Sequence, residues 1–204
     1  PKEDPITAPV VKEVLGPDAE SVALAWRFPG LASKDFEVLQ VVSQVLYNGK
    51  AGLIDLDLNQ QQKVLNSYGY PMGLADYSAF ILGGLPKQGQ TLEEVKDLLL
   101  NEIKKLRAGE FDEKMLQANI NNFKLYELQS MESNEGRADI FVNSFINGTN
   151  WEDEVTAIDR MAKLTKEDIV AFADKYLKED NYAVIYKKQG KDPNEKKMTK
   201  PEIT

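Results

Sequence analysis

The fold of this chain is decided by residues 20–62, which read ESVALAWRFPGLASKDFEVLQVVSQVLYNGKAGLIDLDLNQQQ. In their first part, apolar side chains alternate with small or polar ones, which is the period of a half-buried strand. Pro29-Gly30 ends this strand. The sequence therefore predicts a strand with one buried face, formed by Val22, Leu24, Trp26 and Phe28.

A buried helix is predicted after this strand. Ser33 is its expected N-cap, and Asp35 lies in the first turn, where the helix dipole favours an anion. Asn48-Gly49 is a stop signal, and residues 52–58 restart as a short leucine-rich helix. A broad apolar surface predicts that the first helix is buried on more than one side. This surface consists of Phe36, Val38, Leu39, Val41, Val42, Val45 and Leu46.

This order of elements resembles a known family. A strand, a buried helix ending in Asn48-Gly49 and a leucine-rich restart are similar to the repeated domain of the pitrilysin/insulinase family of zinc metallopeptidases, the inverted zincins, including domains of the mitochondrial processing peptidase type. The resemblance continues to about Gly190 and covers nearly the whole chain. It rests on the order of the elements rather than on any single motif.

The same stretch lacks the chemistry of a catalytic domain of that family. In such a domain, the helix after the first strand carries His-x-x-Glu-His, with two imidazoles for zinc and a glutamate that activates the metal-bound water. Here the corresponding residues 36–46 contain one carboxylate, Glu37, and the whole chain has no His and no Cys. The resemblance therefore implies a non-catalytic domain without a cofactor of its own, and zinc in a catalytic domain of a parent protein.

The rest of the chain predicts two more strands, five helices and a closing strand. Residues 64–70 and 75–82 read as two antiparallel strands. Strands first, then helices, then a closing strand indicate an α+β fold with an antiparallel sheet packed on helices, as the resemblance also implies. The helices are expected within residues 91–109, 112–131, 137–147, 150–162 and 165–176, and the closing strand at residues 182–187.

Four of these helices carry further signals. Thr91 with Glu94, and Thr165 with Asp168, form predicted capping boxes. Apolar side chains at helical spacing predict a stripe along one face of each of the helices before and after Asn147-Gly148. The first stripe consists of Ala138, Phe141, Val142 and Phe145, and the second of Trp151, Val155, Ile158 and Ala162.

Composition predicts two linkers and one domain, and it argues against nucleic-acid binding and a membrane span. Residues 1–18 are expected to be a lead-in linker, residues 19–190 a single α+β peptidase-family domain, and residues 191–204 a lysine-rich linker to a following domain. A net charge of −8 argues against nucleic-acid binding, which needs clustered Lys and Arg. No apolar run approaches the ~20 residues that cross a bilayer.

Three tyrosines are the candidates for contact with a substrate. Tyr68, Tyr70 and Tyr77 lie in the predicted strand pair and could line a peptide groove, beside a strand that accepts an extended peptide. Aromatic residues in strands also pack across the pair without any ligand, and the sequence leaves both readings open.

Two other patterns argue against a ligand. Some family members hold substrate through an Arg and a following Tyr, and the resemblance places Gln60 and Ser67 near those positions, so neither a cation nor a phenol is supplied. Asp55, Asp57 and Asn59 resemble the start of a calcium loop, but the required Gly and closing Glu are replaced by Gln60 and Asn66. A helix is the favoured interpretation of this segment.

Two functions follow from the resemblance. The first is a non-catalytic, chamber-forming domain of a zinc-dependent metalloendopeptidase that degrades unfolded peptides. Its expected partners are a preceding catalytic domain and a following half of the same parent chain. The alternative is a non-enzymatic assembly or interaction subunit built on the same scaffold.

Overall fold

The computed structural model describes residues 2–191 and contains one five-stranded sheet. Its strand order is β1-β5-β2-β4-β3, with β2 central and β1 and β3 at the edges. Neighbouring strands are antiparallel, except that β1 is parallel to β5. The strands are β1 (Val10–Gly16), β2 (Ser21–Pro29), β3 (Asn66–Met72), β4 (Tyr77–Leu85) and β5 (Tyr182–Gln189).

Seven α-helices accompany this sheet in the described residues, and a π-helical turn at Asp55–Asn59 precedes β3. Ser33 caps the first helix, and both predicted capping boxes are formed, at Thr91 and at Thr165. The helices are α1 (Lys34–Leu46), α2 (Leu92–Arg107), α3 (Lys114–Ser130), α4 (Asn134–Asn147), α5 (Trp151–Val155), α6 (Ala157–Met161) and α7 (Lys166–Tyr176). The predicted α+β fold with a sheet packed on helices is confirmed.

The core lies between one face of the sheet and helices α1, α2 and α7. The predicted buried face of β2 is confirmed, because its four apolar side chains have almost no exposed surface. Phe28 packs its ring against Phe172 of α7, with 5.7 Å between the ring centroids. The indole N–H of Trp26 donates to the backbone oxygen of Lys178 at 3.1 Å. β2 is thus anchored to the segment that leads into β5.

The lead-in predicted for residues 1–18 needs a correction, because Val10–Gly16 forms β1. This strand pairs with β5, but its side chains are exposed on both faces of the sheet or nearly so. It therefore shows no alternation of buried and exposed positions that sequence periodicity could detect. The domain boundaries at residues 19 and 190 stay a prediction, and the predicted linker 191–204 lies outside the described residues apart from Lys191.

The helical region after α3 also differs from the prediction. The expected single helix over residues 150–162 is divided into α5 and α6 at Thr156. The apolar stripe predicted on one face of α4 is not covered, because Phe141, Val142 and Phe145 are exposed. Helical spacing shows that a face is apolar, not what covers it. Among residues 2–191, none of the helices combines the length and the hydropathy required for a membrane span.

Candidate functional site

The resemblance aligns α1 with the zinc-binding helix of catalytic domains. The Glu37 carboxylate of α1 is held by an arginine. Arg160 of α6 donates from Nε to Oε2 of Glu37 at 2.9 Å, and from Nη2 to Oε1 at 2.5 Å. This bidentate geometry is the strong form of an Arg–carboxylate pair. The hydrogen bonds to Glu37 raise the pKa of the Arg160 guanidinium. Glu37 therefore joins α1 to α6.

A second ion pair extends this contact. Lys34 of α1 donates to Asp153 of α5, and the Arg160 guanidinium lies 3.6 Å from the same carboxylate. The hydrogen bond from Lys34 lowers the pKa of Asp153. The start of α1 and the segment 147–157 together line a cleft of about 290 Å³. Three of its charged side chains, Lys34, Glu37 and Asp153, are held in these ion pairs, so the arrangement ties helices together.

No group of three or more His, Cys, Asp or Glu side chains in residues 2–191 is arranged to hold a metal ion. The three residues that resemble a calcium loop have separate partners. Asp55 accepts from the backbone N–H groups of Asn48 and Gly52, at 3.0 Å each. Asp57 accepts from Lys105 at 2.6 Å, while the Asn59 side chain bonds the backbone of β3. The segment forms a π-helical turn, consistent with the helical interpretation.

Gln60 and Ser67, which lie near the expected Arg and Tyr positions, form hydrogen bonds within the domain. Ser67 is buried, and its N–H and hydroxyl both donate to Asn59 Oδ1 at 2.8 Å. The Gln60 amide donates to the backbone oxygen of Lys50 at 2.8 Å. These contacts hold the turn against β3, and they offer neither a cation nor a phenol to a ligand.

The face of the sheet turned away from the core is the second surface of interest, and we call it the open face. It consists of the strand positions that alternate with the buried ones, and β3 forms one of its edges. Many of its side chains are small, such as Ala23, Ala25 and Ala79. Within the described strands, the charged side chains of the open face are all basic and are Lys12, Arg27 and Lys187.

Two of the three predicted tyrosines meet on the open face. Tyr68 and Tyr70 stack along β3, with 6.2 Å between ring centroids and 21° between ring planes. Tyr68 lies across Gly83 of β4, where an added Cβ would come within 2.4 Å of the ring. Burial of the Tyr68 phenol against this backbone raises its pKa. Tyr70 is 47% exposed and is the more accessible of the two rings.

Tyr77 lies apart from this pair. It begins β4, four positions before the partner of Tyr70, which corresponds to about 13 Å along the strand. The guanidinium of Arg27 lies 5.2 Å from the centre of its ring, and its hydroxyl accepts from the N–H of Glu3 at 2.9 Å. Tyr77 is therefore separated from the stacked pair, although all three tyrosines are near the open face.

Sequence reasoning missed one surface, the apolar side chains of the segment from α3 to α5. It recognised the apolar face of α4 and the aligned apolar positions of α5, but it predicted no binding surface there. A usable signal was present in α5, whose five residues include three acids and are too few to cover a long neighbouring helix.

The chain has relatives in both sequence and structure. A family model described as "Peptidase M16 inactive domain" matches residues 1–123. A zinc protease, PqqE of Helicobacter pylori, is 27% identical over 193 residues, covering 92% of this chain and 42% of that protein. The chain thus spans less than half the length of this curated relative.

Solved structures share the fold. A protease from Helicobacter pylori superposes with a TM-score of 0.85 at 21% identity, over 92% of this chain and 45% of that one. An inactive peptidase domain assigned to a zinc protease from Bordetella parapertussis has a TM-score of 0.73 at 17% identity, over 84% of this chain and 93% of that one. At these identities the superpositions establish the fold.

Proposed function

The chain belongs to the peptidase M16 inactive-domain family, and on this basis we propose that it is a non-catalytic, chamber-forming domain of a zinc-dependent metalloendopeptidase that degrades unfolded peptides. The zinc and the hydrolytic residues would then be supplied by a catalytic domain of the same parent protein. The name of the relative from Helicobacter pylori, a zinc protease more than twice the matched length, supports this assignment.

The observation that carries the proposal is the state of α1. In an active domain, the corresponding helix would carry two imidazoles and a catalytic glutamate. Helix α1 contains no histidine. Its carboxylate, Glu37, is bound on both oxygens by Arg160. Both oxygens of this carboxylate are therefore occupied by charge-assisted hydrogen bonds to one guanidinium. Glu37 thus serves packing between helices, as expected of a domain retained for its shape.

The open face is the part of the domain best suited to line a chamber. Its small side chains leave the backbone accessible, and its basic residues would attract acidic segments of an unfolded peptide. β3 is an edge strand whose Ser67 N–H and oxygen are already bonded to Asn59, so an extended peptide could add to the sheet beyond Ser67, beside Tyr68 and Tyr70. Tyr77 contacts Arg27 and Glu3 at the far end of this face and is the weaker candidate for substrate contact.

The proposal is tested by measuring zinc content and the hydrolysis of an unstructured fluorogenic peptide. Both are measured on the natural full-length protein that contains this chain, and on the 204-residue chain alone. We expect zinc and hydrolysis in the full-length protein only. Hydrolysis by the 204-residue chain would contradict the argument from α1, and its absence from both proteins would favour a non-enzymatic assembly subunit.

A further inference from the structure

Helix α4 exposes its apolar side chains to solvent. Ser144 is its one buried residue, whereas Phe145 is 88% exposed and Phe141 is 58% exposed. Val142 and Ile146 are also exposed. Across its 14 residues, the helix therefore lacks the buried apolar stripe that normally holds a helix to its domain.

The exposure continues onto the neighbouring helices. Leu125 and Leu128 in the second half of α3, and Trp151 and Val155 of α5, are exposed as well. Half of the exposed large hydrophobic side chains of the described residues lie between Leu125 and Val155, which is about a sixth of that part of the chain. We call this segment, residues 124–155, the α3–α5 surface. Monomeric proteins rarely leave such a concentration uncovered.

Local interactions do not account for the order of α4. Isolated helices of this length are marginal in water, and helices in proteins are held mainly by packing of an apolar face. The contacts that fix α4 are its N-cap Ser133, the turn at Gly148 and the stacking of Phe141 on Trp151. A covering partner would supply the missing packing.

The charge of the α3–α5 surface argues against a second copy of this chain as that partner. Residues 124–155 contain two cations, Lys124 and Arg137, and seven carboxylates, so this segment has a net charge of −5 out of −8 for the chain. Two copies joined through this surface would bring like charges together, which disfavours association. The complementary partner has an apolar centre and a rim rich in Lys and Arg.

We infer that the α3–α5 surface docks onto a different domain of the parent protein, one with an apolar face bordered by basic residues. We take this partner to be a peptidase-type domain, which rests on the proposed function. The relatives support a partner within the same chain, since this chain covers 42% and 45% of their lengths. A segment of about 30 residues also matches one side of a standard interface, which contains roughly 20–30 residues.

Photo-crosslinking in the natural full-length protein tests this docking. The variant Phe145→benzoylphenylalanine places the probe at the most exposed apolar position of the surface. We expect crosslinks to residues outside 1–204, in peptides that also contain Lys or Arg. Leu65→benzoylphenylalanine is the matched control, because Leu65 is exposed but remote in sequence from the surface, and it should give at least fivefold less of this product.

A mixture of isotopically light and heavy protein identifies the partner. Crosslinks between light and heavy copies of residues 124–155 would overturn the inference in favour of self-association. Equal yields from the Phe145 and Leu65 probes, or no crosslink from either, would show an uncovered surface and also overturn it. The charge reversal Glu135→Lys should lower the Phe145 yield at least threefold at low salt, and an unchanged yield would contradict the predicted basic rim.

Zinc content and peptide hydrolysis of the same preparation separate the two proposals. Crosslinks to another domain in a protein without zinc or hydrolysis would leave the docking intact and overturn the proposed peptidase function. Hydrolysis without the crosslinks would support the proposed peptidase function and overturn the docking.

Discussion

The ring of Phe141 stacks on the indole of Trp151, with 4.3 Å between the ring centroids and 14° between their planes. This contact joins α4 to α5 on the outside of the domain, where both side chains remain exposed. A stacked aromatic pair contributes about 1 kcal/mol beyond the area it buries. The position of α4 in the uncovered chain therefore depends on a contact that one substitution can remove.

Trp151→Ala is expected to loosen α4 without unfolding the domain. Loss of about 1 kcal/mol from the local stability corresponds to roughly fivefold faster amide hydrogen exchange in α4. The exchange of β2 and α1, which form the core, should stay unchanged. Tyr126→Ala is the control, since Tyr126 is an exposed aromatic residue of α3, and it should leave the exchange of α4 unchanged. Equal effects of the two substitutions would contradict a specific role for the stacked pair.

Gly83→Ala is expected to displace the Tyr68 ring from the open face. The new Cβ would lie within 2.4 Å of that ring, so the side chain must move and lose its packing on β4. Because the clashing atoms are the far end of a side chain that can rotate away, the cost should be at most about 1 kcal/mol of the free energy of unfolding, measured by urea denaturation. The same substitution in a Tyr68→Ala background should cost much less, because the clashing ring is gone. Equal costs in both backgrounds would mean that another contact is responsible.

The Tyr68 phenol gives an independent readout of the same packing. Burial raises its pKa, and the folded state therefore favours the neutral phenol. The stability that follows from this shift is present below the unfolded pKa, near 10, and is lost as pH rises through the folded value. In the Gly83→Ala variant, the pKa should fall towards 10 in a spectrophotometric titration at alkaline pH. An unchanged pKa would show that the ring has not moved.

Lys105 bridges two carboxylates whose pKa values are shifted in opposite directions. It donates to Glu102 at 2.9 Å and to Asp57 at 2.6 Å. The side chain of Glu102 is 1% exposed, and burial raises its pKa above 4.5. The hydrogen bond from Lys105 lowers the pKa of Asp57 below 3.8. Folding thus favours the protonated form of Glu102 and the ionised form of Asp57.

Glu102→Gln and Asp57→Asn should therefore change the pH dependence of stability in opposite directions. Because folding raises the pKa of Glu102, the wild-type protein loses stability as pH rises above 4.5. Glu102→Gln lacks this titration, so its stability relative to wild type should increase from pH 4 to 7. A lowered folded pKa gives stability that is present above 3.8, so Asp57→Asn should lose about 1 kcal/mol relative to wild type as pH rises from 3 to 6. Urea denaturation across this range measures both, and parallel slopes would contradict the assignment.

Sequence alone predicted those elements whose pattern is set by the core. β2 alternates because one of its faces is buried, and the caps at Ser33, Thr91 and Thr165 are local interactions between near neighbours. β1 was missed because an exposed edge strand is specified by its partner β5, which lies far away in sequence. The exposure of the apolar face of α4 was not predicted, because an exposed apolar face and a core face have the same helical spacing.

The same limit applies to the candidate site. The absence of imidazoles from α1 could be read directly from the sequence. The partner of Glu37 could not, because Arg160 is 123 residues away in the chain and is brought to α1 by the packing of α6. The meeting of Tyr68 with Tyr70, and the separation of Tyr77 from both, likewise depend on strand register and orientation.

Tyr70→Ala tests whether the open face contacts substrate. If the exposed ring binds an unfolded peptide, its loss should raise KM for an unstructured peptide about fivefold in the full-length protein, since removing an aromatic contact costs roughly 1 kcal/mol. The value of kcat should stay the same, because the proposed function places the hydrolytic residues in another domain. Leu65→Ala, an exposed apolar residue just before β3, is the control and should leave KM unchanged. An unchanged KM in Tyr70→Ala, with a lower free energy of unfolding, would show that the tyrosine pair only packs across the sheet.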